Sequence, residues 1–160
     1  MRVILFPSTL SVEQVQSIMT PLRQVQLCGI IAIGESQYAD WKRKAPHVPS
    51  WELRNISDLS DQKPETNLHD SHENIVDKLL QDSRIYYLLE EEQSFYKVSN
   101  VFNSMKVLDT ICWNSLWILA QTKPDKVVIG STPHCLVSYV FCKTAEQLDI
   151  PVFSHRPMAT

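Results

Sequence analysis

Glycine is nearly missing from this chain of 160 residues: only Gly29, Gly34 and Gly130 occur. Three isolated glycines cannot form the G-x-G-x-x-G turn of dinucleotide sites or the G-x-x-x-x-G-K-[ST] phosphate loop, so neither nucleotide cradle is present. The four cysteines, Cys28, Cys112, Cys135 and Cys142, have no C-x-x-C spacing and sit among apolar neighbours. That pattern reads as buried free thiols rather than a disulfide framework or a zinc site. Charge of one sign is also lacking. A net charge of −3 provides no basic footprint for nucleic acid. No apolar run approaches the length of a membrane span. The N-terminal "MRVILF" is stopped by Pro7 before it reaches the length of a signal peptide's apolar core. These absences lead to the expectation of a cytoplasmic protein, with peripheral attachment to the inner face of the membrane as a variant, and of no nucleic-acid partner, transmembrane segment, metal or cofactor.

What remains is an ordinary globular composition, 44% apolar and 21% charged. At this length a single domain buries roughly 70% of its unfolded surface. "RVILF" reads as a first strand, over 2–6. Ser11 and Gln14 have capping-box spacing, and Val12, Val15, Met19, Leu22 and Val25 continue at helical intervals. Pro21 is expected to kink or split that helix. "CGIIAIGE" reads as a second strand, over 29–33. From about 36 to 74 the periodicity is lost, and the expectation is a polar, loop-rich insertion. "IVDKLLQDSRIYYLLEEE" is helical in pattern, with Ile85 to Leu89 open to a strand reading. Met105, Leu108, Cys112, Leu116 and Leu119 mark a heavily buried helix over 103–121. "KVVI", a helix over 135–148 and "PVF" complete the order. Strands alternating with helices predict an α/β fold, a Rossmann-like parallel sheet with helices on both faces in three layers. The expected domain organisation is one such domain over 1–160.

In an open parallel sheet, ligands bind beyond the carboxyl ends of the strands. After "KVVI" come Gly130, Ser131, Thr132, Pro133 and His134. Thr132 suits a helix N-cap and Pro133 the first helical position, which would leave the N–H groups of His134 and Cys135 facing an anion or polar group. The alternative is a plain strand-to-helix turn, with Thr132 as cap and His134 solvated. Sharper motifs fail. A phosphatase loop beginning "HC" needs Arg six residues after the cysteine, where Phe141 stands. A receiver domain needs acidic residues after the first strand, where Pro7, Ser8 and Thr9 stand, and no G-x-S-x-G elbow occurs. "HDSHE" (His69 to Glu73) gathers metal-capable side chains but reads more simply as a helix start, and "WKRK" (41–44) reads as a solvated basic face.

The tail "KPDKVVIGSTPHCLVSYVFCKTAEQLDIPVF" resembles bacterial GT-B glycosyltransferases, in particular the N-terminal domain of surface and capsular polysaccharide synthesis enzymes. The features that carry this are a helix running into "KPD", an apolar strand, a loop ending in Pro-His, an "A-x-x-L-x-IP-V" helix end and a closing strand. The resemblance covers about 103–157. It implies a transferase of two domains that moves sugar from a nucleotide sugar to a glycan or lipid-linked acceptor. The acceptor groups would lie on this domain and the donor site mainly on a C-terminal domain, which has no counterpart in these 160 residues. The chain is accordingly expected to be a fragment, one subunit of a split enzyme, or a domain that no longer catalyses, and to be inactive alone. The resemblance places substrate-binding residues just after the strands, at Ser8, Thr9, Ser36, Ser131, Thr132, His155 and Arg156. It makes His134 and Glu35 the candidates for the base, and the Arg156 fork a partner for an acidic sugar or phosphate. The alternative is a non-catalytic Rossmann-like module for ligand binding or protein interaction. An independent small enzyme at 130–136 ranks third, because no nucleophile or metal constellation supports it.

Overall fold

The computed structural model of the protein describes residues 1–8, 10–20, 24–53, 68–93, 101–131 and 133–154. Along the chain these form β1 (Arg2–Phe6), α1 (Val12–Met19), β2 (Gln26–Ala32), α2 (Glu35–Lys44), β3 (Ser50–Glu52), α3 (His69–Leu80), α4 (Ser83–Glu91), α5 (Val101–Thr122), β4 (Lys126–Ile129), α6 (Leu136–Gln147) and β5 (Val152–Ser154). The strands make one five-stranded sheet in the order β3-β2-β1-β4-β5. Every neighbouring pair is parallel. The fold is α/β, Rossmann-like, in three layers.

Strands buried on both faces need continuous apolar runs rather than alternation, and "VILF" and "GIIA" meet that need. Leu5 and Ile30 face α1 and α2, where they pack with Val12, Val15, Trp41, Ala45 and Val48. Ile4, Phe6, Ile31, Val127 and Ile129 face the opposite layer of α3 to α6. There Phe6 meets Phe141 edge-on at 6.0 Å, a geometry worth about 1 kcal/mol beyond area burial. α5 is buried on most sides, with Leu108, Ile111, Cys112, Leu116 and Ile118 all fully enclosed. Among the described residues no helix is long and apolar enough to cross a membrane.

Three expectations change, and the open choice at 85–89 is decided for the helix. α1 ends at Met19, so Val25 belongs to the approach to β2 and not to a helix; Pro21 and Leu22 lie outside the described residues. β2 starts three residues earlier than the apolar run suggests, because Gln26 pairs with Arg2 at the sheet's amino edge. The segment expected to be loop-rich from about 36 opens with α2 and β3 and closes on α3, while 54–67 lie outside the described residues. α2 hides its periodicity because Trp41 is its one buried residue. Its helix signals are electrostatic, with Glu35 in the first turn and Lys42, Arg43 and Lys44 in the last. Residues 85–89 are helical, with Ile85, Leu88 and Leu89 inward and Tyr86 and Tyr87 outward.

Candidate functional site

The strand order reverses direction at β1 and β4, so the chain leaves their carboxyl ends to opposite sides and opens a crevice there. Two loops meet at this point. After β1, Ser8 takes a left-handed backbone (φ 55°), and Leu10 N–H donates to the Pro7 carbonyl at 2.9 Å. After β4, Gly130 N–H donates to the Phe6 carbonyl at 2.8 Å. The two loops are then joined by Ser8 Oγ and Ser131 Oγ, 2.7 Å apart. Two of the expected substrate-binding residues are thus brought into contact. Thr9, Thr132, His155 and Arg156 lie outside the described residues.

Beyond β2, Glu35 and Ser36 open α2 and are exposed. Between them and Ser8 stands Gln37, which the sequence reading did not single out. Its Nε2 donates to the Ser8 carbonyl at 2.7 Å and its Oε1 accepts from Ile33 N–H at 2.8 Å. Gly34 N–H donates to Glu52 Oε1 at 3.1 Å. One amide therefore ties the β1 loop to the β2 loop. The available signal was a Gln at the third helical position, where a side chain reaches back to a backbone N–H. Beside this brace an open groove of about 660 Å³ runs between α1 and α2, with Ser11, Ser36, Gln37, Asp40 and Arg43 on its walls.

At the β4 side the helix start is displaced from expectation. α6 begins at Leu136 with Cys135 as N-cap, so Thr132 is not the cap and Pro133 is not the first helical residue. The N–H groups are also engaged. Cys135 N–H donates to Ser138 Oγ at 3.2 Å, and Leu136 N–H donates to Glu92 Oε2 at 2.9 Å. The anion expected at this helix N-terminus is a carboxylate of the chain itself. The physical reason is α4, which packs against α6 and delivers charge to the turn from both of its ends. Arg84 Nη2 donates to the Pro133 carbonyl at 3.2 Å. Tyr139 of α6 donates to the Asp82 carboxylate that caps α4. Burial, followed by this bond, pushes the Tyr139 hydroxyl up to about 12, and the same bond holds Asp82 below the usual carboxylate range. His134 stands between these anchors and is exposed.

The remaining sequence candidates go elsewhere. His69 and His72 turn onto Trp113 of α5. Among the described residues no three His, Cys, Asp or Glu side chains converge as a metal site would require. In the basic run, Arg43 pairs with Asp40, and Lys44 with Glu13. All four cysteines are buried. Burial pushes Cys112 and Cys142 up to about 12, so neither is a nucleophile.

The Glu92 contact can be measured directly. Glu92→Ala should lower stability by about 1–2 kcal/mol, the range for a hydrogen bond to a charged group at a helix N-terminus. Glu92→Gln should lose less, since an amide oxygen still accepts from Leu136. Urea unfolding of the two variants gives the order.

Comparison with protein-family models, curated proteins and solved structures gives no match to this chain.

Proposed function

We propose that this chain is the acceptor-side domain of a glycosyltransferase acting in surface polysaccharide biosynthesis. It would hold a glycan or lipid-linked acceptor, while a separate domain or subunit holds the nucleotide sugar. The observation that carries the reading is the Glu92 carboxylate on the N-terminus of α6. A helix start beside a switch point is where a pyrophosphate would otherwise be received. A carboxylate in that place repels a pyrophosphate and leaves the crevice to uncharged, hydroxyl-rich ligands. The groups around it suit such a ligand: Ser8, Ser131, Ser36 and Gln37 offer hydroxyls and an amide, and the groove between α1 and α2 has room for a sugar ring.

In this reading His134, or Glu35 across the crevice, takes the proton of the acceptor hydroxyl. The acceptor oxygen forms its bond to the anomeric carbon as the bond to the nucleotide diphosphate breaks, and the leaving group carries the electron pair away. A second reading, a non-catalytic binding or interaction module, draws on one observation: the Ser8 and Ser131 hydroxyls bond each other.

Calorimetry separates the two halves of the idea. The 160-residue chain alone should show no micromolar binding of any nucleotide sugar in a panel, and no transfer, because in this reading the surface that positions the donor and excludes water belongs to the separate domain or subunit. Micromolar binding by this chain alone would overturn the acceptor-domain reading.

A further inference from the structure

The cluster that the proposed site leaves unused lies where α3 packs on α5. His72 is buried. Its ring stacks on Trp113 at 3.8 Å between centroids and 10° between planes, and His69 meets the same indole edge-on at 4.9 Å. His72 Nε2 lies 3.0 Å from Asp109 Oδ1. It is nevertheless out of line for a hydrogen bond and sealed from water. A buried polar atom without a partner is uncommon in a native fold. Here the carboxylate nearest to the imidazole, Asp109, is itself half exposed and screened, and with the more weakly acting Glu73 it does not offset the burial of an added proton.

We infer that the α3–α5 contact is an acid-sensitive joint, closed while His72 is neutral and loosened when His72 takes up a proton. The charged and titratable groups acting on the ring are Asp109 of α5 and His69 and Glu73 of α3 itself. α6 meets α3 further along, where Lys78 bonds Gln147, and the nearest charges at the start of α4, Asp82 and Arg84, are engaged with Tyr139 and Pro133. Burial lowers the pKa of His72 and outweighs the opposing pull of Asp109. The folded chain therefore binds this proton more weakly than the unfolded chain. Stability from the joint is complete above the ordinary imidazole value of about 6.5 and is lost as pH falls below it. The consequence reaches the crevice, because α3 leads directly into α4, whose Arg84 and Glu92 hold the turn before α6.

Hydrogen exchange at pH 7.5 and pH 5.0, corrected for intrinsic rates, tests the joint. Protection of 69–80 should fall severalfold more than that of 136–147, because the opened state binds the His72 proton more tightly than the closed one. His72→Phe keeps a flat ring against Trp113 but cannot be protonated, and should abolish the difference. An equal change in both helices, or a difference that survives in His72→Phe, would overturn the inference. Should His72→Phe not fold, nuclear magnetic resonance titration of the native chain decides it. A His72 ring that titrates at or above the ordinary imidazole value of about 6.5 refutes the joint, and one that titrates below it supports the joint.

Discussion

Gly130→Ala should cost about 3 kcal/mol of stability, the upper part of the range for overpacking a rigid site. A Cβ at this position would stand 2.1 Å from the Pro7 carbonyl oxygen and 3.0 Å from two carbons of Leu10. The first contact is with backbone, so no rotamer change relieves it. Relief requires the loops after β1 and β4 to separate, which breaks the Gly130 to Phe6 bond and the Ser8–Ser131 contact together. Gly29→Ala provides the comparison. Its Cβ would meet the edge of the Trp51 ring at 2.7 Å. A side chain can move, so the loss should be nearer 1 kcal/mol, the lower part of the same range. Chemical unfolding gives both values. A Gly130→Ala protein within 0.5 kcal/mol of the parent would show that the two loops are not held as closely as the crevice requires.

Gly130 also shows where sequence reasoning reached and where it stopped. That a short apolar strand ends at a glycine and gives way to a polar turn is visible in the letters, and it located the carboxyl edge of the sheet. The glycine's reason is not visible, because the obstructing atom belongs to Pro7, far off in sequence and adjacent only after β1 and β4 pair. The same limit governs the start of α6. Thr-Pro is a good local helix signal, but Glu92 arrives from the end of α4 and Arg84 holds the Pro133 carbonyl, so the cap falls at Cys135, three residues after Thr132. α2 escaped for a different reason. A helix that buries one tryptophan and little else has no stripe to detect, and its acidic start and basic end resemble a solvated loop. By contrast "VILF", "IIA" and the long apolar run of α5 announced themselves, since burial on both faces demands unbroken apolar sequence. Gln37 was missed with α2 itself: its bond to Ile33 follows from its place in the first turn of that helix, and its bond to Ser8 depends on which loops the topology brings together.

His134→Ala should lower sugar transfer by about a hundredfold or more when the chain works with a donor-binding domain, the usual contribution of a positioned proton acceptor. Its effect on stability should stay within about 0.5 kcal/mol, as for other exposed positions. The argument is positional. His134 is exposed at the carboxyl end of β4, and the turn that carries it is fixed on both sides, at Pro133 by Arg84 and at Leu136 by Glu92. An exposed side chain on a turn fixed at its base can be aimed at a ligand without supporting the core. Glu35→Gln serves as the counterpart, since Glu35 is equally exposed at the end of β2 and loses its proton affinity without losing its shape. Transfer rates at saturating acceptor, with unfolding curves on the same preparations, separate the possibilities. A large loss in Glu35→Gln with none in His134→Ala moves the base to Glu35. A loss of several kcal/mol of stability in His134→Ala makes the histidine a structural strut of the turn. Full activity in both variants removes proton transfer from this edge of the sheet and leaves the crevice as a binding surface, with the two serines bonded to each other for no catalytic end.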